Sequence, residues 1–429
     1  MDTMLTDWTR WLTSLEFSQI CLILLPILLI DAPRYALGSL LMCIWDMTVD
    51  MMNWIRGYTA PPYDHCPSVC VILAGLNEAD TIGHTLESIW GSYPRMEIVV
   101  VDDGSNDGMF EVAERFAEGR DNVICLRKPE RGGKSSALNM ALPYTNADVL
   151  ICVDTDSTLG PNAIWDIVQP FKDPKVGAVS GTVIARNPFV NVMTWLQGIE
   201  YLRTIFLGRM LTDRLNMLGI VSGAFGAFRT EAMKLVEGWD VGPGEDGDLV
   251  MRLRKAGYTV RFRPYAQCFT NLPLAWKTLF KQRRRWDWSV VTFECRKHID
   301  LLNPFHTSFT AANFFMVVER IVFTILFQFA FWIYLVWLCF NMQQELVYIM
   351  VLNYLVYVGL EIFQFSAILY YSLDPRRDVK MALVIPLVPF YYLFLRAATM
   401  VAVLEEMFTR RSFRDNFVPP RVRKATWHW

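Results

Sequence analysis

Apolar positions are distributed unevenly along this chain. At both ends they run on almost without interruption. Between the ends, short apolar runs alternate with stretches of mixed polarity. The first long run, "FSQICLILLPILLI" (17–30), is strongly apolar but short for a membrane span. "DAPR" (31–34) interrupts it, because Pro33 lacks an amide donor and restricts Ala32. The next stretch, 35–54, is apolar but carries Asp46 and Asp50, so one broken helix and two crossings are equally compatible with it. Near the other end, 321–341 and 346–371 are long enough to span a bilayer. A last apolar region, 381–403, contains Pro386, Pro389 and Arg396.

The middle, residues 60–300, follows a different rhythm. The runs "SVCVILAG" (68–75), "MEIVVVDD" (96–103), "NVICLRK" (122–128) and "ADVLICVDTD" (147–156) are near-continuous and rich in β-branched residues, with helical stretches between them. That pattern predicts an α/β domain with a parallel sheet covered on both faces. Such sheets bind ligands beyond the carboxyl ends of their strands. Two of the runs end there in acid clusters, Asp102-Asp103 and Asp154-Thr155-Asp156.

Composition changes this picture little. The hydrophobic share, 53%, is high for a soluble protein and is concentrated in the end segments. A net charge of −2 supplies no basic field for nucleic acid. The nine cysteines form no CxxC pair and fit a reducing or membrane setting rather than a disulfide framework. No cleavable signal peptide is expected, since the first apolar run follows acidic residues and lacks a small-residue cleavage site. Lysine and arginine are absent from the loop at 343–345 but abundant in "DPRRDVK" (374–380). The positive-inside rule then places the second loop and the α/β domain in the cytosol. The basic tail, 410–424, fits the same side if Pro386 and Pro389 turn the last apolar region back as a hairpin, which is the expectation taken forward. Four parts follow: a membrane segment (1–58), the cytosolic domain (59–300, with interface helices towards its end), membrane or interface helices (301–408) and the tail (409–429).

Candidate chemistry sits at the predicted strand ends. Asp154 and Asp156 form a DxD pair whose hard oxygens suit Mg2+ or Mn2+ bridged to phosphates. Asn77 and Glu78 follow the first strand, and Asp102 ends the second. In "RGGKSSALN", Lys134 and the backbone amides before it suit a pyrophosphate, although the spacing is not that of a P-loop. In "GPGEDGDLVMRL" (242–253), Glu245, Asp246 and Asp248 open a helix. Acids in a first turn are ordinary dipole partners, and one there is also placed to take a proton from an attacking hydroxyl.

The ordered set "VDDGS", "VDTD", "VSGAFGAFR", "GED" and "QRRRW", flanked by apolar segments, resembles the processive family-2 glycosyltransferases, which include hyaluronan, chitin, cellulose and poly-N-acetylglucosamine synthases. The resemblance covers about residues 65–290. It implies a GT-A-type (Rossmann-like) cytosolic domain between membrane helices, which polymerises sugar from a UDP-sugar into a β-linked polysaccharide and exports it. Residue by residue, it implies that Asp102 contacts the uridine and that Asp154 and Asp156 hold a divalent metal and the sugar diphosphate. It makes Asp246, beside Glu245, the general base. It sets Gln282, Arg283 and Arg285 toward the diphosphate, Trp286 on the acceptor sugar, and Ser222-Gly223 near the acceptor terminus. Glycine stands at 244 where threonine is commoner, and Asp287-Trp288 replaces small residues. No soluble domain follows the last apolar region, which disfavours the cellulose branch and leaves regulation to an accessory subunit. The tail is expected over the nucleotide or against lipid headgroups. Glu319, Arg320, Glu361 and Arg396 are costly in lipid and are expected to face the bundle interior, as an export path or as ion pairs. The alternatives are a non-processive transferase making a lipid-linked sugar, and a transporter carrying an inactive nucleotide-binding domain.

Overall fold

The computed structural model describes residues 2–58, 63–240, 244–414 and 419–422. The chain folds as two units, one of Met1–Tyr58 with Val322–Met400, the other of Thr59–Ile321 with Val401–Trp429.

The second unit is built on an eight-stranded sheet: β1 (Val69–Gly75), β2 (Met96–Asp102), β3 (Val123–Arg127), β4 (Val149–Val153), β5 (Thr158–Leu159), β6 (Val176–Ala185), β7 (Phe225–Arg229) and β8 (Thr259–Thr270). Their order is β3-β2-β1-β4-β7-β6-β8-β5. The four runs read from sequence are β1 to β4, and β1 pairs in parallel with both β2 and β4. Alternate residues of β1 point to opposite faces, and both sets are buried: Val69, Val71 and Leu73 on one, Cys70 and Ile72 on the other. That is why the run reads as continuously apolar. On the first face, Ile82, Leu86 and Ile89 of the helix Ala79–Ile89 are fully buried, each contributing roughly 1.5–3 kcal/mol.

Strand register positions the site. Gly75 lies opposite Asp102, and Leu73 opposite Val153, so Asp102 and Asp154 reach the same rim. β7 is antiparallel to β4, with Phe225 opposite Val153, so the chain entering β7 arrives at that rim too. Asp154 N–H donates to Ala224 O at 3.2 Å and completes the junction.

Three helices of the described residues are long and apolar enough to cross a membrane: Ala311–Asn341, Leu346–Tyr371 and Pro375–Thr409. The last of them passes from a 3₁₀ stretch, Val379–Leu387, which holds Pro386, into the α-helix Val388–Thr409. Proline carries no N–H to donate, and Tyr354 of the neighbouring helix donates to Pro386 O at 3.2 Å. At the other end, Pro33 sits within a π-helical stretch, Ile27–Leu37, that runs on into the α-helix Gly38–Ile55. This is the broken-helix alternative. Asp46 and Asp50 accept hydrogen bonds from Tyr371 and Tyr370 at 2.7 and 3.0 Å. Glu361 and Gln364 are buried, and Arg396 lies 4.7 Å from the Phe331 ring centroid. A helix unremarked in the sequence, Asp2–Ser14, sets Trp8, Trp11 and Leu12 against a cluster of Ile23, Leu338 and Ile349.

Candidate active site

Asp154 and Asp156 emerge directly after β4. Burial, and then the like charge of Asp154, push the Asp156 carboxyl above its ordinary value. Glu78 lies in the same field. Burial raises its pKa, and Asp156, Asp107 and Asp154 add to that. Asn77 braces the rim: its backbone, at φ +58°, donates to Ser105 Oγ (2.9 Å), and its Oδ1 accepts from the Asn106 amide (3.1 Å). Asp102 is fully buried. Its Oδ1 accepts from the Ser105 amide (2.8 Å), and its Oδ2 lies 3.2 Å from Arg127 Nε.

The "RGGK" loop corrects one expectation. The amides of Gly132 and Gly133 point not at open space but at Asp103, donating to its two oxygens at 2.8 and 2.7 Å. Lys128 Nζ closes the same carboxylate at 3.0 Å. Both positions favour glycine. A Cβ at 132 would fall on Lys128 Nζ, and residue 133 has φ +85°. Asp103 and Lys128 therefore fix the start of the helix Lys134–Ala141 and with it Lys134. The sequence showed the second aspartate of "DDG" but nothing that paired it with a loop 29 residues on.

Lys134 Nζ contacts Asp154 Oδ1 and donates to Gly223 O at 3.0 Å. Burial alone would lower its pKa, but Asp154, Glu245 and Asp246 outweigh burial and hold it charged, above the ordinary lysine value. The Gly223 amide donates to Asp246 Oδ2 at 2.9 Å. One residue thus joins the two halves, its carbonyl on the DxD side and its amide on the GED side. A crevice lined by Lys134, Ser222, Gly223, Trp239, Glu245 and Asp246 opens here. Burial raises both carboxyls of the Glu245–Asp246 pair, and Asp246 further raises Glu245. Gly242 and Pro243 of the preceding turn lie outside the described residues. Arg209, which the sequence did not single out, donates through Nη1 to Ser180 Oγ (2.9 Å) and Ser222 Oγ (2.6 Å), and burial pushes its guanidinium down to about 10.

"QRRRW" lies on the helix Trp276–Ser289, and helical spacing divides it into faces. Arg283 and Trp286, three apart, stack with the guanidinium 4.2 Å from the ring centroid. Arg283 also pairs with Glu200 at 2.8 Å, so its charge is already matched inside the protein rather than turned to the rim. Trp286 stays half exposed. Arg284 stacks over Trp288, four apart, at 4.9 Å and pairs with Glu405 at 3.4 Å. That accounts for Arg284, the one motif residue without an assigned role: it ties this helix to the end of Val388–Thr409. Gln282, Arg285 and Ser289 share a third face. Ser289 packs where a Cβ on Gly244 would fall, so this face borders the GED turn. Of the tail, Ser412 docks on Glu406, its amide donating at 2.8 Å, and Arg421 pairs with Glu130.

Among the described residues no three His, Cys, Asp or Glu side chains converge to hold a metal alone. The two DxD carboxylates, in a field of excess negative charge, are hard oxygen donors of the kind that suits a divalent ion.

Residues 67–288, just over half the chain, match the family described as "Glycosyltransferase like family 2". The poly-beta-1,6-N-acetyl-D-glucosamine synthase of Staphylococcus aureus (strain MSSA476) is 31% identical over 226 residues, 52% of this chain and 54% of that protein. The synthase of the same name from Staphylococcus epidermidis is 30% identical over 221 residues, 51% of this chain and 53% of that one. The chain thus matches about half the length of these curated relatives. A solved structure, the mannosyltransferase PcManGT from Pyrobaculum calidifontis in complex with GDP-Man and Mn2+, superimposes with a TM-score of 0.58 at 21% identity, over 90% of this chain and 99% of that one. The fold is GT-A.

Proposed function

Starting from the glycosyltransferase like family 2, to which this chain belongs, we propose that it transfers sugar from a UDP-sugar to the end of a growing β-linked polysaccharide and passes that polymer across the membrane. The observation that carries this reading is the Gly223 junction: Lys134 on the DxD carboxylate and Asp246 on the same residue's amide. That junction supports a reading in which donor and acceptor chemistry meet at one place. The relatives' activity supports N-acetylglucosamine as the sugar.

Each transfer is a one-step displacement that inverts the anomeric carbon. Asp246 accepts the proton of the attacking hydroxyl, and the Gly223 amide holds its carboxylate in place. Glu245, titrating with Asp246, keeps the pair's proton affinity high enough to serve as a base near neutral pH. Lys134 and Arg285 face the departing diphosphate, Gln282 accompanies Arg285 on the same helix face, and Asn77, Glu78 and Asp102 shape the nucleotide end. Asp154 and Asp156 would hold Mg2+ or Mn2+, which would supply charge neutralisation for that leaving group. Trp286 offers the acceptor sugar a flat apolar face, oriented by Arg283 stacked against it, with Ser222 at the acceptor terminus. The basic residues Arg376, Arg377 and Lys380, at the start of the third candidate span, support a cytosolic catalytic unit in a plasma or inner membrane.

The test is incubation of the purified full chain with radiolabelled UDP-N-acetylglucosamine beside an Asp246→Asn variant. Wild type is expected to make long polymer, and the variant to bind UDP but make none. Normal elongation by Asp246→Asn would sink the base assignment.

A further inference from the structure

The third acid of the GED segment, Asp248, lies outside the crevice, yet it is the most heavily bonded carboxylate of that segment. It is fully buried. Its Oδ1 meets Lys297 Nζ at 2.7 Å and His298 Nε2 at 2.8 Å, and its Oδ2 meets Arg252 Nε at 2.8 Å. Lys297 Nζ also reaches Asp240 Oδ2 at 2.5 Å. One ammonium therefore bridges both flanks of the turn that carries Glu245 and Asp246, from residue 240 before it to residue 248 after it. Arg252 extends the grip, donating through Nη1 to Val236 O (2.6 Å) and Gly238 O (2.8 Å).

Lys297 and His298 belong to the far end of the QRRRW helix, which continues as the π-helical stretch Val290–Lys297. The two segments meet at three further points. A Cβ on Gly244 would fall on Ser289 and crowd Phe293. Met251 packs with Leu301. Lys255 pairs with Asp300 at 2.6 Å. A merely structural ion pair needs one partner. Here three cationic or imidazole groups converge on one acid two residues from Asp246, and two of them come from the segment that carries Trp286.

We propose that Asp248, Lys297 and Asp240 form a positioning hub that fixes the Glu245–Asp246 pair relative to Trp286, so that the base meets the hydroxyl of a sugar stacked on that ring. None of the three touches the crevice; they act through the turn and the helix they hold. This rests on the reading of Asp246 as base and Trp286 as acceptor platform. A small displacement of a base is costly to turnover and leaves donor affinity alone.

Lys297→Met, Lys297→Arg and Asp240→Asn in the full chain test it, read by kcat and donor KM from UDP release, by UDP binding, and by product length. Lys297→Met is expected to lower kcat about tenfold or more with donor KM and UDP binding within about twofold of wild type. Lys297→Arg is expected to restore most of kcat, because a guanidinium can still span both acids. Asp240→Asn removes one leg at a partly exposed position, where misfolding is least expected, and should lower kcat and shorten the product with KM unchanged. Unaltered kcat in Asp240→Asn and Lys297→Met, or a loss of kcat matched by an equal loss of UDP binding, overturns the hub. A wild-type chain that releases no UDP from any donor overturns instead the reading of the site beneath it.

Discussion

Replacing Lys134 with methionine removes an ammonium from the midst of Asp154, Glu245 and Asp246 while keeping the length of the side chain. A Cβ on Gly223 would lie 2.9 Å from Asp246 Oδ2 and 3.2 Å from Lys134 Nζ, so the two groups are no more than about 6 Å apart. Opposite unit charges at about 6 Å attract by about 3 kcal/mol at an effective dielectric of about 20, equivalent to about 2 pH units. The sign follows from the direction of that attraction. Lys134 favours the ionised carboxylate and so lowers its pKa against burial. Removing it raises the pKa, and a base must be ionised to act. The acid limb of kcat, which belongs to the coupled Glu245–Asp246 pair, should therefore move up by as much as about 2 units. The assay is UDP release at saturating donor from about pH 5.5 to about pH 9. Donor KM should rise as well, since Lys134 also holds Asp154. A kcat profile lowered uniformly, with its acid limb unmoved, refutes the proximity of lysine and base.

Other outcomes follow from separate parts of the structure. Gly244 adopts φ +86° against Ser289, so Gly244→Ala should cost about 1–3 kcal/mol and lower the melting temperature of the full chain in detergent; an unchanged melt contradicts this. Glu406, fully buried, accepts from Arg296 (2.7 Å), Thr292 (3.2 Å) and Ser412 (2.8 Å), so Glu406→Gln should weaken the anchor by about 3 kcal/mol and speed tryptic cleavage at Arg410 and Arg411. Chelation should stop UDP release and Mn2+ should restore it, whereas activity indifferent to chelator would remove the metal from the account.

The central strands were legible because burial on both faces leaves near-continuous apolar runs between turn signals, as in β1 and β4. The antiparallel insertion of β7 between β4 and β6 was not, because "FGAFR" carries no local mark of pairing with residues 46 to 80 positions away. The acids of the site announced themselves by type and place, but their partners did not. Glu200 lies 83 residues from Arg283, and Glu405 lies 121 from Arg284, so chain order alone could not assign the three arginines. Once the motif is known to be helical, spacing sorts it at once: 283 with 286, 284 with 288, 282 with 285 and 289. The glycines of "RGGK" suggested amides for a phosphate, and Asp103 takes them instead. Pro386 and Pro389 suggested an interruption, and a 3₁₀ stretch ends between them.

The size of the product decides the central claim most directly. Purified full-length chain, supplied with radiolabelled UDP-N-acetylglucosamine and Mn2+, should yield label in long polymer whose synthesis Asp246→Asn abolishes. Label confined to a single sugar on lipid would contradict a processive synthase and leave a lipid-linked sugar transferase in its place.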